Sequence, residues 1–235
     1  PAIRESLRAI AARARRLVER QYRLLNEVLL PAMAAEGVLL LFRRDLDDAQ
    51  RRWAAQWFES EVEPLLTPIA LDPAHPFPRL LNKSLAFVVE LAGHDSFGRA
   101  AGLAVLQAPR SLPRILRMPP ELSGGRACLI TLAQVIMACV AELFPGLEVL
   151  SVNQFRVTRN SELFVDDEEI TDLRAALQGE LPQRHYGDAV RLEVSAGCPA
   201  PIVARLLREF GLTQDECYRV DGPVNLNRLS QLVDL

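Results

Sequence analysis

Residues 84–107 read SLAFVVELAGHDSFGRAAGLAVLQ, and this stretch decides the class of fold. Its ends, 84–91 and 102–107, are short, apolar and rich in residues that suit a pleated surface, so each predicts a strand. Residues 93–99 between them are glycine-rich and polar, a turn region and not a helical crossover. Working outward, 149–158 and 189–194 also read as strands, while 132–144, 168–178, 201–210 and 226–233 carry helical periodicity. Strands and helices do not alternate one for one. The expected class is therefore α+β, a mixed, mainly antiparallel sheet domain packed with helices.

The N-terminal quarter has a different pattern. Ile3, Leu7, Ile10, Ala14, Leu17, Leu24 and Val28 are spaced four and three apart, with Gln21 as the polar member of the series. That is a heptad seam, predicting one long helix over 1–35, bent near Pro31 and stopped by Gly37. A seam needs a partner helix, so this segment looks like the end of a larger helical bundle. Two domains are expected: residues 1–37, the end of a truncated helical domain, and residues 38–235, the sheet domain. The second should open with a strand at 38–42 and a helix at 46–62, whose Trp53 and Trp57 share one face and suit core packing.

Composition narrows the function. Of the 235 residues, 49% are hydrophobic and 24% charged, the balance of a globular chain and neither a disordered nor a membrane one. No apolar run approaches the roughly 18 residues that a membrane span needs, and no secretory signal opens the sequence. The expected location is cytoplasmic, with membrane association as the alternative. Cys128, Cys139, Cys198 and Cys217 form no CxxC pair and read as reduced core thiols. The net charge of -3 argues against a nucleic-acid partner. Lys83 is the single lysine among 27 basic residues, and the planar fork of arginine suits phosphate and carboxylate partners.

Few residues offer chemistry. There is no GxxxxGK[ST] loop. Asp166, Asp167, Glu168 and Glu169 could be taken for a magnesium site, but a helical period follows them, and Asp166 and Glu169 are spaced for a capping box, a structural role. His75, His94 and His185 lack any metal-binding spacing, so no metal site is expected. His75 stands among Pro73, Pro76 and Pro78, which fix an extended, cornered backbone around it. In the strand at 149–158, Phe155 and Val157 share the apolar face while Arg156 points away; in 189–194, Val190, Leu192 and Val194 oppose Arg191 and Glu193. Arg156 and Arg191 belong either to a solvated sheet face or to a contact with phosphate or another domain. Arg159 falls on the apolar side, so it must end the strand, follow a bulge or meet an acid.

The stretch LTPIALDPAHPFPRLLNKSL, residues 66–85, resembles the bacterial polyphosphate kinase family. So, in the same order, do QYRLLNEVLLPAMAAEGVLL, LFPG, QFRVTRNSELFVDDEEITDL, LPQRHYGDAVRLEV and YRVDGPVNLNRLSQL. The resemblance implies an enzyme that reversibly moves the terminal phosphoryl group of ATP onto inorganic polyphosphate, with Mg²⁺, through a phosphohistidine. It also implies that the chain covers the end of the family's N-terminal helical domain and its head domain, a dimerisation and scaffolding element. The phosphorylated histidine would then lie in catalytic domains after Leu235, and none of the three histidines here matches it. On that basis no catalytic residue, ATP or Mg²⁺ is expected on this chain. Arg156, Arg191 and His75 are expected at the polyphosphate passage or against the missing catalytic domains, and homo-oligomers are expected. The alternative is a free-standing, non-catalytic module that binds polyanions.

Overall fold

The computed structural model describes residues 2–71, 77–94, 98, 100–160 and 187–234. His75, His185, Asp166, Glu169 and the helix expected at 168–178 lie outside the described residues.

The chain opens with helix α1, Ala2–Leu24, which runs through a π-helical turn at Leu25–Leu29 into α2, Leu30–Ala35. The widened turn lies immediately before Pro31, and proline explains it: with no N–H and a ring that crowds the carbonyl four residues back, it disrupts the preceding turn. Gly37, at φ 79°, stops the helix.

Strand β1, Val38–Leu41, leads to α3, Asp48–Trp57. Asp47 caps α3 by accepting a hydrogen bond from the Gln50 amide at 2.8 Å, while the Gln50 side chain accepts from the Asp47 amide at 3.1 Å. Trp53 and Trp57 pack against the larger core. Beyond α3 come β2, Ile69–Leu71; β3, Leu85–Ala92; β4, Leu103–Gln107; β5, Ile115–Arg117; and β6, Ala127–Thr131. They are followed by α4, Leu132–Cys139; β7, Glu148–Arg159; β8, Ala189–Ser195; α5, Ala200–Phe210; and β9, Cys217–Val220.

The stretch quoted at the outset forms the β3–β4 antiparallel pair, with Val88 opposite Val105. It belongs to a six-stranded sheet in the order β2-β4-β3-β7-β8-β9, antiparallel except for the parallel β8–β9 edge. A three-stranded sheet in the order β1-β6-β5 pairs β1 and β6 in parallel. Strands β2, β5, β6 and β9 were not predicted, and 226–233 forms 3-10 helix where an α-helix was expected.

The large sheet is covered on both faces. Ala86, Val88, Phe155, Val157, Leu192 and Val194 pack with Ile202, Val203 and Leu206 of α5. Leu85, Phe87 and Val89 alternate with them and share the other core with Phe58, Ile136 of α4 and Tyr22 and Leu25 of the first helical stretch. Alternation thus feeds two cores from the same strands, and this second layer decides where the arginines sit.

Candidate functional site

Arg156 and Arg191 lie on the face that carries the first helix, and β-sheet register brings them together. Leu85 of β3 stands opposite Arg156 of β7, Arg156 opposite Glu193 of β8, and Glu193 opposite Tyr218 of β9. Residues directly opposite in neighbouring strands point to the same side, so one row crosses four strands. Arg191, two residues before Glu193, returns to that side.

Glu193 is the centre of the cluster. Its Oε2 lies 3.2 Å from Arg156 Nη1, and its Oε1 accepts a hydrogen bond from Arg191 Nη2 at 2.8 Å. Arg156 Nη1 also donates to Asn225 Oδ1 at 2.9 Å. Asn225 has a left-handed backbone, φ 69°, a conformation that asparagine tolerates better than most residues. The Arg191 guanidinium lies over the Tyr218 ring, 4.0 Å from its centroid.

This is not an open polar sheet face. The Arg156 side chain is 17% exposed and that of Glu193 10%. The expectation of a solvated face does not hold, because α1 and the 221–225 turn cover the row. Tyr22 donates its hydroxyl to the Pro223 carbonyl at 2.7 Å, and Asn26 Nδ2 donates to the Asp221 carbonyl at 2.8 Å. Arg15 Nη2 donates to the carbonyls of Gln214 and Asp215 at 2.9 and 2.8 Å. Burial, and after it the Glu193 charge, hold the Tyr22 phenol well above its ordinary pKa, with Arg191 and Arg156 pulling the other way. Tyr22 therefore stays a protonated donor.

Arg159 ends β7, where the register with β8 shifts between Thr158 and Arg159. Its Nε donates to the Leu80 carbonyl at 3.2 Å, its Nη1 to the Gly187 carbonyl at 3.0 Å, and its guanidinium lies 5.7 Å from the centre of the Phe210 ring. It therefore joins β7 to the loops on either side of it. His94 sits in an isolated bridge to Ala100 at the β3–β4 turn, away from this cluster.

The described residues do not fit a magnesium ion: no three His, Cys, Asp or Glu side chains among them converge. Nor is any described helix long and apolar enough to cross a membrane. Sequence reasoning missed Tyr22, Asn225 and Tyr218, the residues that close the cluster. The DGPVN turn at 221–225 was the one local signal for them, because its glycine and asparagine mark unusual backbone.

Residues 49–232 match the family model described as the polyphosphate kinase middle domain. A polyphosphate kinase of Burkholderia multivorans is 58% identical over 226 residues, covering 96% of this chain and 33% of the relative. That of Paraburkholderia phytofirmans is 57% identical over the same shares. The chain thus spans about a third of the length of these curated relatives. The crystal structure of polyphosphate kinase from Porphyromonas gingivalis superposes with a TM-score of 0.78 at 21% identity, over 98% of this chain and 32% of that one, and so shares the fold. A family match over most of the chain and this common architecture agree, and the chain belongs to the polyphosphate kinase family, carrying its middle domain.

Proposed function

We propose that the chain is the head module of a polyphosphate kinase, an enzyme that reversibly transfers the terminal phosphoryl group of ATP to inorganic polyphosphate. Within it the chain is a scaffold: it fixes the end of the N-terminal helical domain against the head sheet and supplies no reacting group. ATP, Mg²⁺ and the phosphorylated histidine belong to the parent enzyme's other domains. That enzyme is a cytoplasmic homo-oligomer.

The observation that carries this reading is the Arg156–Glu193–Arg191 cluster, paired through Glu193 beneath α1. A guanidinium already committed to a carboxylate and an amide is poorly placed to hold a moving phosphate chain. Arg156 instead binds the sheet to the turn on which the helix rests, and Arg191 holds Glu193 from its other side.

A second reading keeps Arg156, Arg191 and His75 at the polyphosphate passage. It draws support from Nε of Arg156 and Nε of Arg191, buried donors without a hydrogen-bond partner among the described residues. Arg156→Glu separates the two. As a scaffold change it places a second carboxylate against Glu193, and the 235-residue chain should melt at least 10 °C lower, a loss of about 3 kcal/mol or more. As a passage change it should leave that melting temperature within a few degrees while lowering turnover of the complete enzyme at least tenfold, about 1.4 kcal/mol.

A further inference from the structure

A second group of arginines lies beside this cluster and takes no part in it. Arg110 and Arg114 stand in the β4–β5 connection and Arg228 in the 3-10 segment Leu226–Asp234. Arg114 and Arg228 line a cavity of about 30 Å³, together with Thr131, Gln154 and Asn225 and a set of apolar side chains. No carboxylate is among the described residues that line it. Arg114 Nη1 is buried there without a hydrogen-bond partner among the described residues.

Burying a cationic donor with no acceptor costs more than almost any other polar defect, unless an acceptor is supplied from outside. The surroundings make matters worse: burial lowers the pKa of Arg114, and the charges of Arg228 and then Arg110 lower it further. Of the amide walls, Gln154 donates its Nε2 to Met137 Sδ at 3.1 Å, and neither amide offers Arg114 a free acceptor. Gln154 Oε1 is already occupied by the Val224 amide at 3.3 Å, and Asn225 Oδ1 by Arg156, so the acceptor atoms of both amides face other work. A space of this size holds about two or three water-sized groups, enough for a small ion but not for a nucleotide.

We infer that the cavity between Arg114, Arg228, Thr131, Gln154 and Asn225 is a binding site for a tetrahedral oxyanion of the phosphate class, held by paired guanidinium groups. The ion joins the β4–β5 connection, the middle of β7 and the C-terminal 3-10 segment, three parts of the chain distant in sequence. This inference does not rest on the scaffold role proposed above. The oxyanion is either a free inorganic ion or the end of a longer phosphate chain.

The test is thermal melting of the 235-residue chain in anion-poor buffer, with and without orthophosphate at about 10 mM, and then with sulfate and tripolyphosphate. Orthophosphate should raise the melting temperature by a few degrees, as any ligand of the folded state does. Arg114→Met should melt at or above the wild type without phosphate, since it removes an unpartnered buried charge, and should lose the phosphate response. The hydrogen bond from the Arg114 amide to Gln231 Oε1, 3.1 Å, uses main chain and survives this change. Arg228→Ala, at an exposed position, should melt at or slightly above the wild type without phosphate, since it removes a charge that opposes Arg114, and should weaken the response. Equal response to orthophosphate and tripolyphosphate assigns the site to the free ion; a much stronger response to tripolyphosphate assigns it to a chain end. An equal phosphate response in wild type and both variants overturns the site. So does a wild type that does not respond at all.

Discussion

Arg159 interrupts an apolar face, and its geometry explains why the sheet tolerates it. Its guanidinium stays on the α5 side, against the Phe210 ring that also meets Phe155, but at the strand's end past the register shift, where it donates to the carbonyls of Leu80 and Gly187. Arg159→Ala should lower the stability of the chain by about 1.5–3 kcal/mol, the usual range for hydrogen bonds to a charged group, read as a lower urea midpoint at constant slope. Arg159→Lys should recover only part of that loss, since one ammonium cannot replace a fork that reaches two loops. The cysteines make a different prediction. All four are buried, and burial pushes the Cys139 thiol up to about 12, with Glu142 adding to it, and the Cys198 thiol up to about 11. An aromatic disulfide reagent at about pH 8 should therefore react with none of them until the chain unfolds. The unfolded chain loses these protons near 9, so their contribution is complete below pH 9 and is lost as pH rises toward 11–12. Urea midpoints should fall across that window, less steeply in the Cys139→Ala, Cys198→Ala double variant.

At the scale of elements, the first helix has two faces with separate duties. The heptad residues Leu7, Ile10, Leu17, Leu24 and Val28 are between 50% and 64% exposed, whereas Tyr22 and Leu25 are buried against the head. The four-and-three spacing reported the outward stripe and was silent about the inward one, where Arg15, Val18, Tyr22 and Leu25 mix charged, aliphatic and aromatic types. Leu17→Glu should reduce self-association in sedimentation without shifting the melting temperature, because the side chain it replaces is largely in solvent. Gly222→Ala should do the reverse. Gly222 has φ 156°, and an added Cβ would lie 3.1 Å from the Tyr22 ring. The backbone would be strained and the Tyr22 ring would have to yield by a few tenths of an ångström, seen as a lower melting temperature with association unchanged.

Across the whole molecule, what could be read from sequence was what local chemistry governs. The β3–β4 pair, α5 and both ends of α1–α2 follow from alternation, periodicity and glycine or proline punctuation. Strands β5 and β9, of three and four residues, are too short to display a period, and β6 follows the Gly124-Gly125 loop closely enough to look like part of it. The candidate site was half legible. Alternation placed Arg156, Arg191 and Glu193 off the α5-facing core, yet their pairing depends on the β7–β8 register, and Tyr22 and Asn225 reach them only through tertiary packing. Arg114 gave no signal because what distinguishes it is a missing partner, which no sequence displays. If the scaffold reading holds, the 235-residue chain incubated with labelled ATP, polyphosphate and magnesium should carry no acid-labile phosphate and make no polymer. Label at His75, His94 or His185 would overturn it.

The seat of α1 also sets a timetable. Tyr22 and the Pro223 carbonyl that receives its hydroxyl are 201 residues apart. On a ribosome adding about 5–20 residues each second, the helix emerges on the order of 10–40 s before its docking surface exists. During that interval its inward stripe is bare, so the nascent chain is a client for any chaperone that binds apolar helices near the exit tunnel.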